Sequence, residues 1–353
     1  MPRSLRAVAR FFSNTIGWNR IGFMLSIAII AVAVFVLVHM LRGLDVDEVF
    51  AALKAVSAHR IAFAGVFVAC AYFTLTFYDW FALRTIGHSE IPYTTAALSG
   101  FTSYAVGHNI GATVFTGGAV RYRIYSARGL TAVDVAKLCF VAGLTFWLGN
   151  ATVLGLSVVA DPHAATPITQ LPGWLNRIIA FGILAVLFSY IGWVWSAPRS
   201  IGKSNWTVRL PNGPSTLVQI CIGLCDLGFC AMAMFMLLPT EPHVGYVTLL
   251  VVFVSATLLG FASHAPGGLG VFDAAMLIAL WQFNKEDLVA GLLLFRMLYY
   301  LAPFIVALVI LGIREIWLNT LRSSKAPAEL TSVKASAPIR SELESETGEH
   351  RQS

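Results

Sequence analysis

Ser263 to Ala275 reads Ser-His-Ala-Pro-Gly-Gly-Leu-Gly-Val-Phe-Asp-Ala-Ala and lies inside otherwise apolar sequence. One Pro, three Gly, a His and an Asp have little reason to occupy an uninterrupted lipid-facing helix. The stretch predicts a broken helix. Hydrocarbon offers no water to the backbone groups that a break sets free, so the segment must be packed inside protein or line a polar cavity. A working site is expected here.

Its surroundings fix the class. The 353 residues are 57% hydrophobic and only 12% charged, with mean hydropathy +0.74, whereas a soluble domain is charged at about a quarter of its positions. An all-α polytopic membrane protein is expected. The net charge of +6 comes from basic clusters between apolar runs, which set topology and meet anionic headgroups, so nucleic acid is not an expected partner. Cys70, Cys139, Cys221, Cys225 and Cys230 all fall in apolar segments. They suggest neither a disulfide framework nor a metal site, and no cofactor motif accompanies them.

Arg3, Arg6, Arg10 and Arg20 precede an apolar run from Ile21 to Leu41, which places the N-terminus in the cytoplasm by the positive-inside bias. Further spans are predicted over 61–83, 131–160, 174–196, 217–238, 245–262, from the broken segment through 281, and over 289–313. The region 91–118 is apolar but interrupted by Gly100, Gly107, His108, Asn109, Gly111, Gly117 and Gly118, and Arg121, Arg123 and Arg128 follow. A single crossing would put those arginines outside, so a re-entrant or broken hairpin is expected, with the arginines at a helix start or loop. The sum is about eight spans plus one hairpin, with both ends cytoplasmic. Residues 1–20 form a basic N-terminus, 21–315 the membrane domain and 316–353 a polar tail expected to be disordered.

An internal echo links His108-Asn109-Ile110-Gly111 with His264-Ala265-Pro266-Gly267. Paired broken segments in two halves of a chain point to an internal repeat and a midplane binding site. Arg296 lies well inside the last span, where a charge costs roughly 2.5 to 3.5 kcal/mol on insertion scales, so it needs a carboxylate. Asp273 and Asp226 are the candidates. Arg296 with Gly267 and Gly268 at a half-helix start suits a phosphate; an ion pair that only fixes helix packing and a glycine-mediated crossing are the structural alternatives. His108, Asn109 and His264 suit substrate contact, proton relay or structural hydrogen bonding. Arg121 and Arg123 suit headgroup capture or topology.

The run Thr116-Gly117-Gly118-Ala119-Val120-Arg121-Tyr122-Arg123-Ile124-Tyr125-Ser126-Ala127-Arg128-Gly129-Leu130, together with Pro266-Gly267-Gly268-Leu269-Gly270-Val271-Phe272 and Arg296-Met297-Leu298-Tyr299-Tyr300-Leu301-Ala302-Pro303, resembles the flippase-like membrane domain of lysylphosphatidylglycerol synthases. The resemblance covers roughly residues 20–315 and is to stand-alone members, which lack the soluble transferase domain. It implies lipid translocation between leaflets of the bacterial inner membrane, with Arg121, Arg123, Gly267, Gly268 and Arg296 near the lipid path. Synthase activity is not expected. Where many relatives carry Glu after the glycine-rich motif, this chain has Asp273, one methylene shorter.

The leading expectation is therefore a non-enzymic lipid flippase for an anionic or aminoacylated phospholipid or a hopanoid-type lipid. Its site draws on Arg296, Asp273, Gly267, Gly268, His264, Arg121, Arg123, Asn109 and Asp226. The alternative is a non-transporting accessory subunit of a lipid-synthesis or envelope-modification system. Self-association, or association with a lipid-synthesis enzyme, fits either.

Overall fold

The structure, a computed structural model, describes residues 56–317 except 112, 204–205 and 264–265, together with residues 51 and 54. The expected first span over 21–41, the basic N-terminus, the polar tail beyond residue 317 and His264 lie outside the described residues. α1 (Ala58–Ile86) is a 29-residue apolar helix ended by Gly87 at φ 96°, whose N–H returns to the Arg84 carbonyl. Such a left-handed cap costs glycine little. Ala64, Val68, Ala71, Leu75, Tyr78 and Ala82 recur at three- and four-residue spacing and are buried, while Phe63 and Phe73 face outward. That is one protein-facing stripe on a helix otherwise suited to lipid.

α2 (Tyr93–Ile110) and α3 (Thr113–Tyr125) form the expected hairpin, broken at Gly111, where φ is 81°. A Cβ on Gly117 would lie 3.1 Å from the Ser103 carbonyl, so α3 folds back closely onto α2. The hairpin runs further than expected. α3 continues through Tyr125, so Arg121 and Arg123 sit on its last turns rather than at a helix start or loop. α4 (Ala132–Ala160) opens with a capping box in which Asp134 N–H donates to Thr131 Oγ1 at 3.2 Å and Thr131 N–H to Asp134 Oδ2 at 3.0 Å. α5 (Gly173–Ser196) is the least buried of the long helices.

Between the predicted spans 174–196 and 217–238 the chain forms an antiparallel ribbon, β1 (Ser200–Lys203) with β2 (Trp206–Arg209), Ser200 opposite Arg209. Val208 is its buried anchor, and Trp206 packs edge-to-face on Phe140 of α4. α6 (Gly213–Leu237) starts at Asn212, whose side chain accepts from Ser215 N–H. α7 (Tyr246–Ala262) leads into the glycine-rich break and α8 (Val271–Ala279), which is nine residues long. At 1.5 Å per residue α8 spans about 14 Å, roughly half the hydrocarbon core, so the helix in the span predicted through 281 is a half-helix. α9 (Lys285–Phe295) passes into a π-helical turn, Arg296–Leu301. Residues 308–317 are helical and belong to a second unit.

Five helices among the described residues are long and apolar enough to cross a membrane: α1, α4, α5, α6 and the run Lys285–Trp317. α4 and α6 meet where each has a glycine, since a Cβ on Gly149 would come 2.8 Å from Gly223 Cα. Small residues let helix backbones approach this closely in a membrane. Beside the crossing, Gln219 Nε2 of α6 donates to Thr145 Oγ1 of α4 at 2.8 Å. Gly149→Leu overpacks the crossing and should lower stability by about 1–3 kcal/mol, read as a reduced unfolding temperature in detergent. Gly182→Leu, at an exposed position where a Cβ meets nothing within 4 Å, should stay within about 0.5 kcal/mol of the parent.

Candidate functional site

Both breaks are held by an arginine bound to a carboxylate, but the carboxylates come from different places. In the first half, Arg121 of α3 reaches Asp79 of α1. Its Nε donates to Asp79 Oδ1 at 2.9 Å and its Nη2 to the same oxygen at 2.8 Å, while Tyr125 O–H donates to Oδ2 at 2.9 Å. The guanidinium also lies over the Tyr104 ring at 4.7 Å. Asp79 and Arg121 are both buried. The pair ties the returning half of the hairpin to a full-length span, with charges that compensate each other.

In the second half, Arg296 of the π turn reaches back to Asp273 of α8. Nε donates to Oδ1 at 3.0 Å, Nη2 to Oδ2 at 2.5 Å and Nη1 to the Gly267 carbonyl at 3.3 Å. Asp273 Oδ2 also accepts from Gly270 N–H at 3.0 Å, so one carboxylate caps α8 and holds the arginine. Gly267, Gly268 and Gly270 have φ of 59°, 62° and 79°, conformations that a side chain would strain. Pro266 to Gly270 thus turns the chain within a few residues. Gly268 approaches Gly260 of α7, packing the turn against the preceding helix.

The two breaks lie side by side. Asn109 Nδ2, at the end of α2, donates to the Tyr300 carbonyl of the π turn at 3.1 Å and to the Ala105 carbonyl at 2.8 Å. Tyr72 O–H of α1 donates to the neighbouring Tyr299 carbonyl at 3.0 Å. A π turn leaves carbonyls of the regular helical ladder in need of partners. These two side chains supply them. Stacked rings run through the same region: Phe272 on Phe295, Phe295 on Tyr299, and Tyr299 on the His108 imidazole, at centroid separations of 6.2, 5.2 and 5.9 Å.

Between the breaks is a cavity of about 270 Å³, lined from both hairpins and from α1, α4, α6 and the π turn. Its chemistry is divided. Val114, Phe115, Trp147 and Phe261 line it and are also exposed on the apolar outside of the protein. Tyr78, Arg121, Asp226 and Cys230 line it from buried positions, and Tyr104 and His108 are half-buried in its wall. Asp226, midway along α6, accepts from Tyr78 O–H at 3.1 Å and from Cys230 S–H at 3.8 Å. The arrangement can hold an amphiphile, with its apolar part toward the outer rim and its polar part toward the buried floor.

The expected site residues divide accordingly. Gly267, Gly268, Arg121 and Asp226 line the cavity. Arg296 and Asp273 are not in the cavity lining and form the clasp of the second break, in which Nε, Nη1 and Nη2 of the guanidinium each donate one hydrogen bond to protein. Asp226 is not the partner of Arg296; Asp273 is. Asn109 is buried and serves as a tie between the breaks, and Arg123 is half-buried outside the cavity lining. Sequence reasoning missed Asp79 and Tyr78. The rule that singled out Asp226 applies equally to Asp79, an acid inside the apolar run 61–83, and is the signal that could have found it.

Removing one member of a buried pair strands the other charge, so Asp79→Ala and Arg121→Ala should each cost about 3–5 kcal/mol. The double variant should cost less than the sum of the two, as detergent unfolding of all three proteins would measure. The Asp273 side chain is 25% exposed, and Asp273→Ala should accordingly cost less than Asp79→Ala.

No protein-family model matches the chain. It is 30% identical to the protein slr0712 of Synechocystis over 272 residues, 76% of this chain and 84% of the relative. It is 26% identical to the inner membrane protein YbhN of Escherichia coli over 303 residues, 85% of this chain and 93% of the relative. A 201-residue stretch is 27% identical to phosphatidylglycerol lysyltransferase of Staphylococcus aureus, 56% of this chain but only 22% of that enzyme. The chain is thus a multi-pass membrane protein that belongs to the family of the Synechocystis protein slr0712, with kinship to YbhN and to the membrane part of phosphatidylglycerol lysyltransferase.

Proposed function

We propose that this chain moves a phospholipid, or a lipid of similar amphiphilic build, between the leaflets of a bacterial cytoplasmic membrane. The headgroup passes through the cavity between the two broken hairpins while the acyl chains stay outside. The observation that carries this reading is the division of the cavity into an apolar rim open to the outside and a buried polar floor. Crossing hydrocarbon costs a headgroup its hydration. Hydroxyl, imidazole and carboxylate groups placed at that depth replace part of the lost water, lowering the barrier without chemistry on the lipid. The driving force is then a gradient or the lipid's own imbalance, and the chain itself acts without catalysis.

The relatives support a lipid as the passenger. One bears the name phosphatidylglycerol lysyltransferase, so phosphatidylglycerol and its aminoacylated form are the first substrates to try, with a hopanoid-type lipid next. Gly143 gives a test that avoids the ion pairs: it lines the cavity, and a Cβ there meets nothing within 4 Å. Gly143→Trp should fill the cavity and slow leaflet exchange of labelled phospholipid in reconstituted vesicles by about tenfold or more, the factor that 1.4 kcal/mol of added barrier gives. Its unfolding temperature should stay near that of the parent. Undiminished exchange with the cavity plugged would remove the cavity from the path; no exchange by the parent with any of these lipids would favour the accessory-subunit reading.

A further inference from the structure

Asp226 is out of balance with its surroundings. Of the two arginines near the breaks, Arg121 is matched by Asp79 and Arg296 by Asp273. Asp226 is 5% exposed and, among the described residues, has no cation within salt-bridge distance. Both of its hydrogen bonds come from neutral donors, Tyr78 O–H and Cys230 S–H. An isolated carboxylate at this depth is far more costly than the acid form. The groups facing it are neutral too: Tyr72 and Tyr78 from α1, Tyr104 from α2, Cys230 from its own helix and Tyr299 from the π turn. Arg121 lines the same cavity but is held by Asp79. A second group is open to a partner, since His108 Nδ1 is buried in the cavity wall without a hydrogen bond.

We propose that Asp226 is an exchangeable-proton site of the cavity, with the lipid's passage linked to its occupancy. When the cavity is closed to water the group is the carboxylic acid. When water enters, the O–H bond breaks, the electron pair stays on Asp226 as carboxylate, and the proton leaves on water through the cavity mouth; closure requires the reverse. His108 Nδ1 lies on the cavity wall as an acceptor or donor for that water. The transport part of this proposal rests on the lipid-carrying reading, whereas the proton site itself does not.

Two measurements on the reconstituted full chain separate them. Infrared difference spectra across a pH titration should show a carboxylic-acid C=O band that disappears at alkaline pH, is missing in Asp226→Asn and is shifted in Cys230→Ala. Leaflet exchange of labelled phosphatidylglycerol should vary with pH across the range in which the band titrates, by up to about tenfold per pH unit for one linked proton. In Asp226→Asn the variation should fall below about twofold. If Asp226→Asn does not fold, Asp226→Glu should keep the band at a shifted frequency. A parent protein without the band, or a band that survives in Asp226→Asn, overturns the proton site. Equal pH dependence of exchange in parent and Asp226→Asn overturns the linkage. A titrating Asp226 band with no lipid exchange at any pH upholds the proton site and overturns the lipid-carrying reading.

Discussion

A helix that stops inside a membrane leaves backbone N–H and C=O groups that lipid cannot satisfy, and among the described residues this protein stops its helices at two such places. Each freed group must be answered by protein. Gly111 N–H turns back to the Gly107 carbonyl, Thr116 Oγ1 donates to the Gly111 carbonyl, and the Gly267 carbonyl receives Arg296. Gly270 N–H is taken by Asp273, and the π-turn carbonyls of Tyr299 and Tyr300 by Tyr72 and Asn109. The buried polar residues near the breaks therefore have a structural origin before they have a chemical one. Having been brought to that depth to complete hydrogen bonds, they also leave a polar floor in a cavity whose outer rim is apolar.

The breaks and the arginines solve related problems. A half-helix such as α8 is too short to be fixed by apolar packing along a full membrane thickness. A bidentate ion pair fixes both its distance and its orientation. Arg121 with Asp79 and Arg296 with Asp273 do this for the two halves. Burial makes the Asp79–Arg121 pair weak evidence for net stability but strong evidence for a defined arrangement, because a lone member is so unfavourable that competing packings are penalised.

Much of the outline was legible in the sequence because the constraint is local. Pro266, Gly267, Gly268 and Gly270 cannot continue a helix without cost, so the second break was readable from residue types alone. The first was readable from Gly107, His108 and Gly111 with the arginines that follow. The need of Arg296 for a carboxylate followed from depth, although the choice of Asp273 over Asp226 needed the fold of the turn. What the sequence could not convey is long-range: that Arg121 meets an acid 42 residues earlier, that Asp226 is met by Tyr78 of α1 and not by a cation, and that the two breaks lie side by side. The β1–β2 ribbon was hidden for a different reason. Four-residue strands carry too short an alternation to stand out from a basic loop.

The π turn carries polar contacts that reach the second break from α1 and α2 across the seam between the two halves. Within each half the fastening is ionic, Asp79 with Arg121 on one side and Asp273 with Arg296 on the other. Across the seam, Tyr72 and Asn109 reach the π-turn carbonyls through neutral hydrogen bonds, each of net worth about 0.5–1.5 kcal/mol. The ties inside each half are thus charged and those across the seam neutral, and the cavity lies beside that line.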